Sequence, residues 1–225
     1  MILGAGIFTG LSNLLCGAAA KEGARSLDLA IRSSPYSGAG TGTIELMVAS
    51  LAQATRAFVD GVAKLGPSVA KGPRFRFPSG EAPSLQVSLA EPWMVHHSTQ
   101  VPNVRAFLAP KPALLVYAFL AMPLWLVRAR LFRGFFGWYM AFLRRLVLRS
   151  VASRVELLAV TDRQELSLVA DDGMQTAGDA IAAMVVQLGG RTISGLKMVD
   201  EVLELDPVLA TMRELGASEV RVARR

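Results

Sequence analysis

Apolar positions recur along this chain at two spacings, and the switches between them predict its elements. Residues 11–21 carry apolar side chains at helical spacing, with Thr9 or Ser12 as N-cap and Gly23 as the stop. Residues 27–32 alternate in part and read as a strand. Residues 44–59 read as a helix with Leu46, Met47, Leu51, Ala54 and Phe58 on one side, ended by Gly61. From Gly61 to Pro83 glycine and proline recur every few residues, which predicts short strands and turns. Within that stretch Arg74-Phe75-Arg76-Phe77 alternates charge and ring, as a half-exposed strand does. Residues 85–89 and 104–108 read as strands, with a loop or short helix over 93–99 between them. Residues 154–160 and 165–170 read as a hairpin turning at 161–164. Residues 174–188 form a helical pattern with Met174, Ala177, Ile181, Met184, Val185 and Leu188 on one face, stopped by Gly189-Gly190. A short helix over 197–205, a helix behind Asp206-Pro207 and a last strand over 219–223 complete the reading.

The middle of the chain departs from this rhythm. Residues 113–127 carry no charge, but a bilayer span needs about 20 apolar residues, and Pro123 interrupts this stretch. Residues 131–148 follow as an amphipathic helix with Phe132, Phe135, Phe136, Tyr139, Leu143, Leu146 and Val147 at helical spacing. Grouped strands separated by helices predict an α+β fold. The expected architecture is a mixed β-sheet with helices packed on one face, extended by a helical excursion at about 111–150, in a single domain over 1–225.

Composition sharpens three points. Apolar residues make up 52% of the 225, with a mean hydropathy of +0.39. Cys16 is the only cysteine, which excludes an internal disulfide and any cysteine-cluster metal site. No metal-ligand spacing is found elsewhere. The start lacks a basic n-region and a cleavage site, so the expectation is a cytoplasmic protein.

Charge is unevenly placed. The chain is net +6, yet from Pro92 to Val155 there is no Asp or Glu, and that stretch carries nine Lys and Arg residues. Most of the aromatic residues lie there too. One reading covers the sheet or a subunit partner with these helices, leaving the arginines solvated at the rim. A second puts Trp125, Arg128, Arg130, Arg133 and Trp138 in contact with a membrane surface, making the protein peripheral on the inner membrane face. Nucleic acid is disfavoured, because the rings are spaced as a helix core and not as a stacking platform.

Candidate chemistry is sparse. Gly4, Gly6 and Gly10 form a G-x-G-x-x-x-G pattern that a dinucleotide-binding unit would use. That use requires a strand before the first glycine, where only Met1, Ile2 and Leu3 stand, and an acidic residue ending a second strand near Ser33, which is missing. Ser37 to Thr43 is glycine-rich and suited to cradle a phosphate or simply to turn, but no Gly-Lys-Ser/Thr follows, so it is not a Walker loop. Ser37 and Thr41 are its substrate-binding candidates. His96 and His97 are the only histidines. Being adjacent they do not readily share a metal, and each remains a candidate for substrate binding or proton transfer. No catalytic constellation is complete.

Several segments together resemble one family. Gly6-Ile7-Phe8-Thr9-Gly10-Leu11-Ser12-Asn13 is similar to the G-x-x-P-G-x-[ST]-N segment of saccharopine dehydrogenase-like oxidoreductases, with Thr9 where the family usually has proline. Ser37 to Thr43 resembles its glycine-rich turn into a helix, Gly72 to Gly80 its F-P-x-G strand and turn, and Asp171 to Ala177 a turn and helix start near its C-terminus. The matches occur in the family's order. The resemblance implies the substrate-binding and dimerisation half of an NAD(P)-dependent oxidoreductase, lacking the N-terminal Rossmann half. NAD(P) would bind only if that half is supplied as a partner, and the isolated chain would be inactive. A homodimer is implied, with Gly6, Phe8, Thr9, Gly10 and Asn13 near the nicotinamide. The greasy, basic middle of the chain tilts the expected substrate toward a hydrophobic or lipid-linked one. The alternatives are a non-enzymatic peripheral membrane or interaction domain, and a self-contained Rossmann-like protein using Gly4 to Gly10.

Overall fold

The computed structural model describes residues 2–3, 7–21, 23–34, 49–122, 134–135, 138, 142, 153–217 and 220–224. Chain order gives β1 (Ile2–Leu3), a π-helical turn (Ile7–Leu11), α1 (Ser12–Ala20), β2 (Ser26–Ser33), β3 (Thr55–Val59), β4 (Val62–Gly66), β5 (Val69–Phe77) and β6 (Gly80–Val87). Next come α2 (Glu91–Thr99), β7 (Asn103–Pro110), α3 (Leu114–Ala121), β8 (Val155–Thr161), β9 (Glu165–Ala170) and α4 (Gly173–Leu188). The chain closes with β10 (Lys197–Met198), α5 (Val199–Val202), α6 (Leu205–Glu214) and β11 (Val220–Arg224).

Among the described residues nine strands form one mixed sheet, ordered β11-β9-β8-β2-β7-β3-β4, with β6 also on β7 and β5 on β6. β2 is central. It runs parallel to β7 and antiparallel to β8. Because strand side chains alternate between faces, Leu27, Leu29 and Ile31 enter the main core with Leu157 of β8 and Leu14 and Leu15 of α1. That face is covered by helices: α1, α2, α4 and α6 all contribute to the same core. The opposite face buries Ala30, Phe107 and Leu158 under Phe75, Phe77 and Ala82 of the β5–β6 hairpin. The expected α+β class, a mixed sheet with helices on one face, is what the structure shows, with the hairpin folded over the other face.

Two local expectations change. The helix read over 44–59 does not extend to its end: residues 49–52 are helical and Thr55–Val59 is β3. Asp60 and Gly61 take φ of 51° and 75°. Positive φ at both central residues makes the two-residue hairpin turn for which Asp-Gly is suited, so Gly61 turns a hairpin where a helix stop was expected. Residues 93–99, read as a loop or short helix, lie in a nine-residue helix, α2, so His96 and His97 are helical neighbours. α4 meets the core with only part of its expected face, Ala177, Met184 and Leu188. It buries Gly173, Thr176, Ala180, Ala183 and Met184, while Met174, Ile181 and Val185 are exposed. Gly173 sits where a Cβ would lie 2.6 Å from Val155 Cγ2, and this close approach, with the Asp172 N-cap, sets which side of α4 meets the sheet.

Among the described residues no helix is long and apolar enough to cross a membrane. Within 111–150 the structure describes α3, which is apolar but only eight residues long.

Candidate functional site

The π-helical turn and α1 lie along α2, reaching Glu91 at its N-terminal end, and α5 meets Ser98 near its C-terminal end. Asn13 is fully buried, and neither its amide oxygen nor its amide nitrogen has a hydrogen-bond partner. Asp200 of α5 faces it. Its Oδ2 is bonded to the Ser98 hydroxyl of α2, and its Oδ1 is buried without a partner. Gly17 lets α5 come this near, since a Cβ there would lie 3.3 Å from Asp200 Cβ. Glu91, at the N-terminus of α2, is buried to 3% exposure. Cys16, fully buried, lies within electrostatic reach of both carboxyls.

Electrostatics in this cluster favour neutral acids. Burial pushes the Asp200 carboxyl above its ordinary value, although the Ser98 hydroxyl and, more weakly, the nearby Asn13 amide hold it down. Burial likewise raises Glu91 against the backbone N–H groups of Glu91, Thr9 and Ala90. The Cys16 thiol is pushed well up by burial first and by these two carboxyls second. Ser98 Oγ also reaches the Met94 carbonyl at 3.1 Å, and a hydroxyl has one proton. A protonated Asp200 donating to Ser98 would free that proton for Met94, which agrees with the direction of the shift. Two orphaned amide atoms and an orphaned carboxylate oxygen in one buried spot are costly, at about 1–3 kcal/mol each. Such groups mark a place that a ligand or a moving element can use.

The sequence candidates fall around this cluster unequally. Thr9 has φ of 60°, and its N–H donates to Ser12 Oγ at 2.9 Å. Proline, whose φ is locked near −65°, could not adopt that angle, so the threonine goes with a different backbone path. Gly10 is buried beside it, and Phe8 lies in the same π-helical turn. His96 is engaged on two sides: Nδ1 lies 2.8 Å from the Val101 carbonyl, and its ring stacks on Phe58 with centroids 3.8 Å apart. His97 is exposed and stacks flat on Trp93, 5.5 Å away at 4°. Beside it Glu201 is held low, chiefly by the Met198 N–H and also by Lys197 and His97. On the exposed side of α2 the Trp93–His97 stack lies open beside the charged Lys197–Glu201 pair. Gly6, Ser37, Thr41, Trp125, Arg128, Arg130 and Arg133 lie outside the described residues. Trp138 is 60% exposed and belongs to the excursion, not to this cluster.

Sequence reasoning missed Asp200, Ser98 and Glu91. The available signal was a carboxylate inside an apolar run, as in Lys197-Met198-Val199-Asp200. Elsewhere, a polar cavity of 210 Å³ lies beside α1 and α6. Its charges are already paired, Lys21 with Glu204 at 3.0 Å and Arg224 with Asp206 at 3.2 Å. No group of three or more His, Cys, Asp or Glu suited to a metal occurs among the described residues.

No protein-family profile and no curated protein matches this sequence. Solved structures do. The apo form of saccharopine dehydrogenase (L-Glu forming) from Saccharomyces cerevisiae superposes with a TM-score of 0.56 at 12% identity, covering 95% of this chain and 72% of that one. The chain shares its fold with that saccharopine dehydrogenase. At this identity the likeness is one of fold, and the fold is one that an oxidoreductase uses. The expected architecture and this neighbour agree over nearly the whole chain.

Proposed function

We propose that the chain is the substrate-binding and dimerisation half of a saccharopine dehydrogenase-like, NAD(P)-dependent oxidoreductase, acting with a dinucleotide-binding domain that its own residues do not supply. The carrying observation is the fold likeness over 95% of the chain. The opening glycines lend support from the other side. Among the described residues β1 covers Ile2–Leu3 and pairs, in parallel, with the two-residue β10 alone, apart from the nine-stranded sheet. A dinucleotide fingerprint needs a strand set in a parallel sheet, and this ladder is too short to serve as one. A Rossmann sheet laid beside it would extend its unpaired edges. In this reading Phe8, Thr9, Gly10 and Asn13 line the junction between the halves. Bound NAD(P) supplies the hydride chemistry, the Asn13 amide orients the reacting partner, and the closed packing of α1 and α2 excludes water behind it. The exposed Met174, Ile181 and Val185 of α4 serve dimerisation.

The test is a titration of the purified chain with NADH and NADPH, following nicotinamide fluorescence, with sedimentation equilibrium on the same sample. No saturable binding and a dimer are expected. Micromolar binding by the chain alone would show that Gly4 to Gly10 work as a fingerprint and would overturn the assignment of that turn.

A second reading, a peripheral membrane domain, has its own observation. Phe135, Trp138 and Phe142 are 59%, 60% and 44% exposed, and their rings stack in a row with centroids 5.9 and 5.4 Å apart. An exposed aromatic row in a stretch without acidic residues suits an anionic headgroup layer. Co-sedimentation with phosphatidylglycerol vesicles but not phosphatidylcholine vesicles, lost in Trp138→Ala, is the expected outcome. Equal recovery with both lipids would end this reading.

A further inference from the structure

On the sheet face away from the helices, the carboxyl ends of the parallel strands β2 and β7 carry a group of cations around one acid. Arg32, near the end of β2, is the cross-strand partner of Glu156 in β8. Lys111 immediately follows β7, and Arg154 immediately precedes β8. Glu156 is fully buried. Its Oε1 lies 3.1 Å from Lys111 Nζ and 3.4 Å from Arg154 Nε. Its Oε2 accepts the Ser79 N–H at 3.0 Å.

The acid does not use up the cations. Arg32 donates through one terminal nitrogen to the Gly80 carbonyl at 2.7 Å and lies over the Phe77 ring at 5.5 Å. It bonds no carboxylate among the described residues. The Nε atoms of Arg32 and Arg154 are both buried without a hydrogen bond. Arg154 reaches Asp171 only at 3.8 Å, and Asp171 is already held by Arg221 at 2.8 Å. Lys111 and Arg154 keep 31% and 35% of their side-chain surface in solvent. Two cations thus share one fully buried carboxylate, with Arg32 beside them in the cross-strand position, in a half-buried setting where charge is poorly screened. The stretches 35–48 and 123–152 contain a single acidic residue between them, Glu45. Open sheets with parallel strands bind ligands outside the carboxyl ends of those strands, and this group lies there.

We propose that Arg32, Lys111 and Arg154 form a binding site for a small oxyanion, a carboxylate or phosphate group. Glu156 is the fixed internal anion that holds Lys111 and Arg154 in position, and the ligand takes the remaining donors. Guanidinium groups suit this because their forked N–H groups match the geometry of such oxygens. The site stands on this geometry and does not depend on the oxidoreductase reading.

The experiment follows the arginine Nε–H resonances of the full chain by ¹⁵N NMR at constant ionic strength. The probes are inorganic phosphate, succinate and phosphatidylglycerol vesicles, the last also read by co-sedimentation. Saturable shifts with phosphate or succinate assign a soluble ligand. Vesicle binding without free-anion binding assigns a lipid headgroup. Either counts for the site only if Arg154→Gln weakens it by about tenfold, the scale of one charge-assisted contact. Arg32→Lys keeps the charge but removes the fork, and is expected to fall between wild type and Arg154→Gln. Both variants replace half-buried side chains, and a cooperative thermal transition checks that they fold. If none of the three probes binds saturably, or if binding is indifferent to Arg154→Gln in a folded protein, there is no such site.

Discussion

Glu91, on the helix-covered side of the sheet, and Glu156, on the side of the β5–β6 hairpin, are buried alike, at 3% and 0% exposure. Burial pushes both carboxyls toward the neutral form. At Glu91 it prevails over three backbone N–H groups, and the carboxyl sits above its ordinary value. At Glu156 it is outweighed by the Ser79 hydroxyl and N–H together with the Lys111 ammonium, and the carboxyl sits below. Both are closed to solvent, but Glu91 is the more deeply packed, so burial weighs more there, and the partners differ as well. Backbone N–H groups at a helix start do not offset burial at Glu91, whereas a cation with a pair of close donors does at Glu156. One side of the sheet therefore holds acids biased toward the neutral form beside an orphaned amide, and the other holds an acid biased toward the charged form beside surplus positive charge.

The strongest way to break the contrast is Glu156→Gln. Gln keeps an oxygen for the Ser79 N–H but leaves Lys111 and Arg154 facing each other without an anion. Removing one partner of a fully buried pair costs about 3–5 kcal/mol. Here roughly a third of each cation is in water, so a loss of about 2 kcal/mol is expected. Urea unfolding at pH 7 reads it. Added phosphate is expected to restore part of the loss, because the proposed oxyanion would replace the missing charge. An unchanged midpoint would mean that Glu156 holds nothing in place.

Much of this arrangement was legible from sequence only where the determinants are local. The β8–β9 hairpin was, because two apolar strands flank a turn closed by Thr161 N–H to the Gln164 carbonyl at 2.9 Å. β3 was not, since Leu51 and Phe58 also fit a helical stripe. The Asp60-Gly61 pair was the evidence for a hairpin, and it outranks the stripe because positive φ at both positions admits few residues. The face of α4 was read only in part: Ala177, Met184 and Leu188 pack on the core, but Met174, Ile181 and Val185 lie outside, because the helix start meets the sheet through Gly173. Neither buried cluster was legible as a cluster. Asn13 and Asp200, or Arg32 and Glu156, are brought together only by the sheet order. Their one signal was a polar residue inside an apolar element.

The acids on the helix side are expected to respond to pH in the opposite sense from Glu156. A lowered folded-state value makes the Glu156 contribution complete above the unfolded value, about 4.3, and lost as pH falls through the folded value. Raised folded-state values at Glu91 and Asp200 mean that the folded state holds protons more tightly. Their effect on stability is then most favourable below the unfolded values and is lost as pH rises through the folded ones. Glu91→Gln mimics the neutral form at every pH. It is expected to raise stability by about 1 kcal/mol at pH 7, with the gain shrinking toward pH 4. Chemical denaturation across pH 4–8 checks this. A gain that persists at pH 4 would show that it does not come from the titration of Glu91, and a loss at pH 7 would show that the charged carboxylate is held there.

The smallest change expected in stability comes from Gly17→Ala, and it separates packing from titration within the acid cluster. Alanine at a helix interior gains about 1 kcal/mol over glycine. Against this, the new Cβ would lie 3.3 Å from Asp200 Cβ, tight enough that Asp200 must move by a few tenths of an ångström. α5 is only four residues long and can give by that much, so the net change is expected to stay within about 0.5 kcal/mol. The titration is expected to move more than the stability. Shifting Asp200 off the Ser98 hydroxyl weakens an interaction that holds its carboxyl down, while burial remains, so the Asp200 value rises further. Carboxyl ¹³C shifts of Asp200 followed from pH 4 to 8 read this directly. A fall in that value would mean that Ser98 is not what restrains Asp200, and that the orphaned Asn13 amide is its true partner.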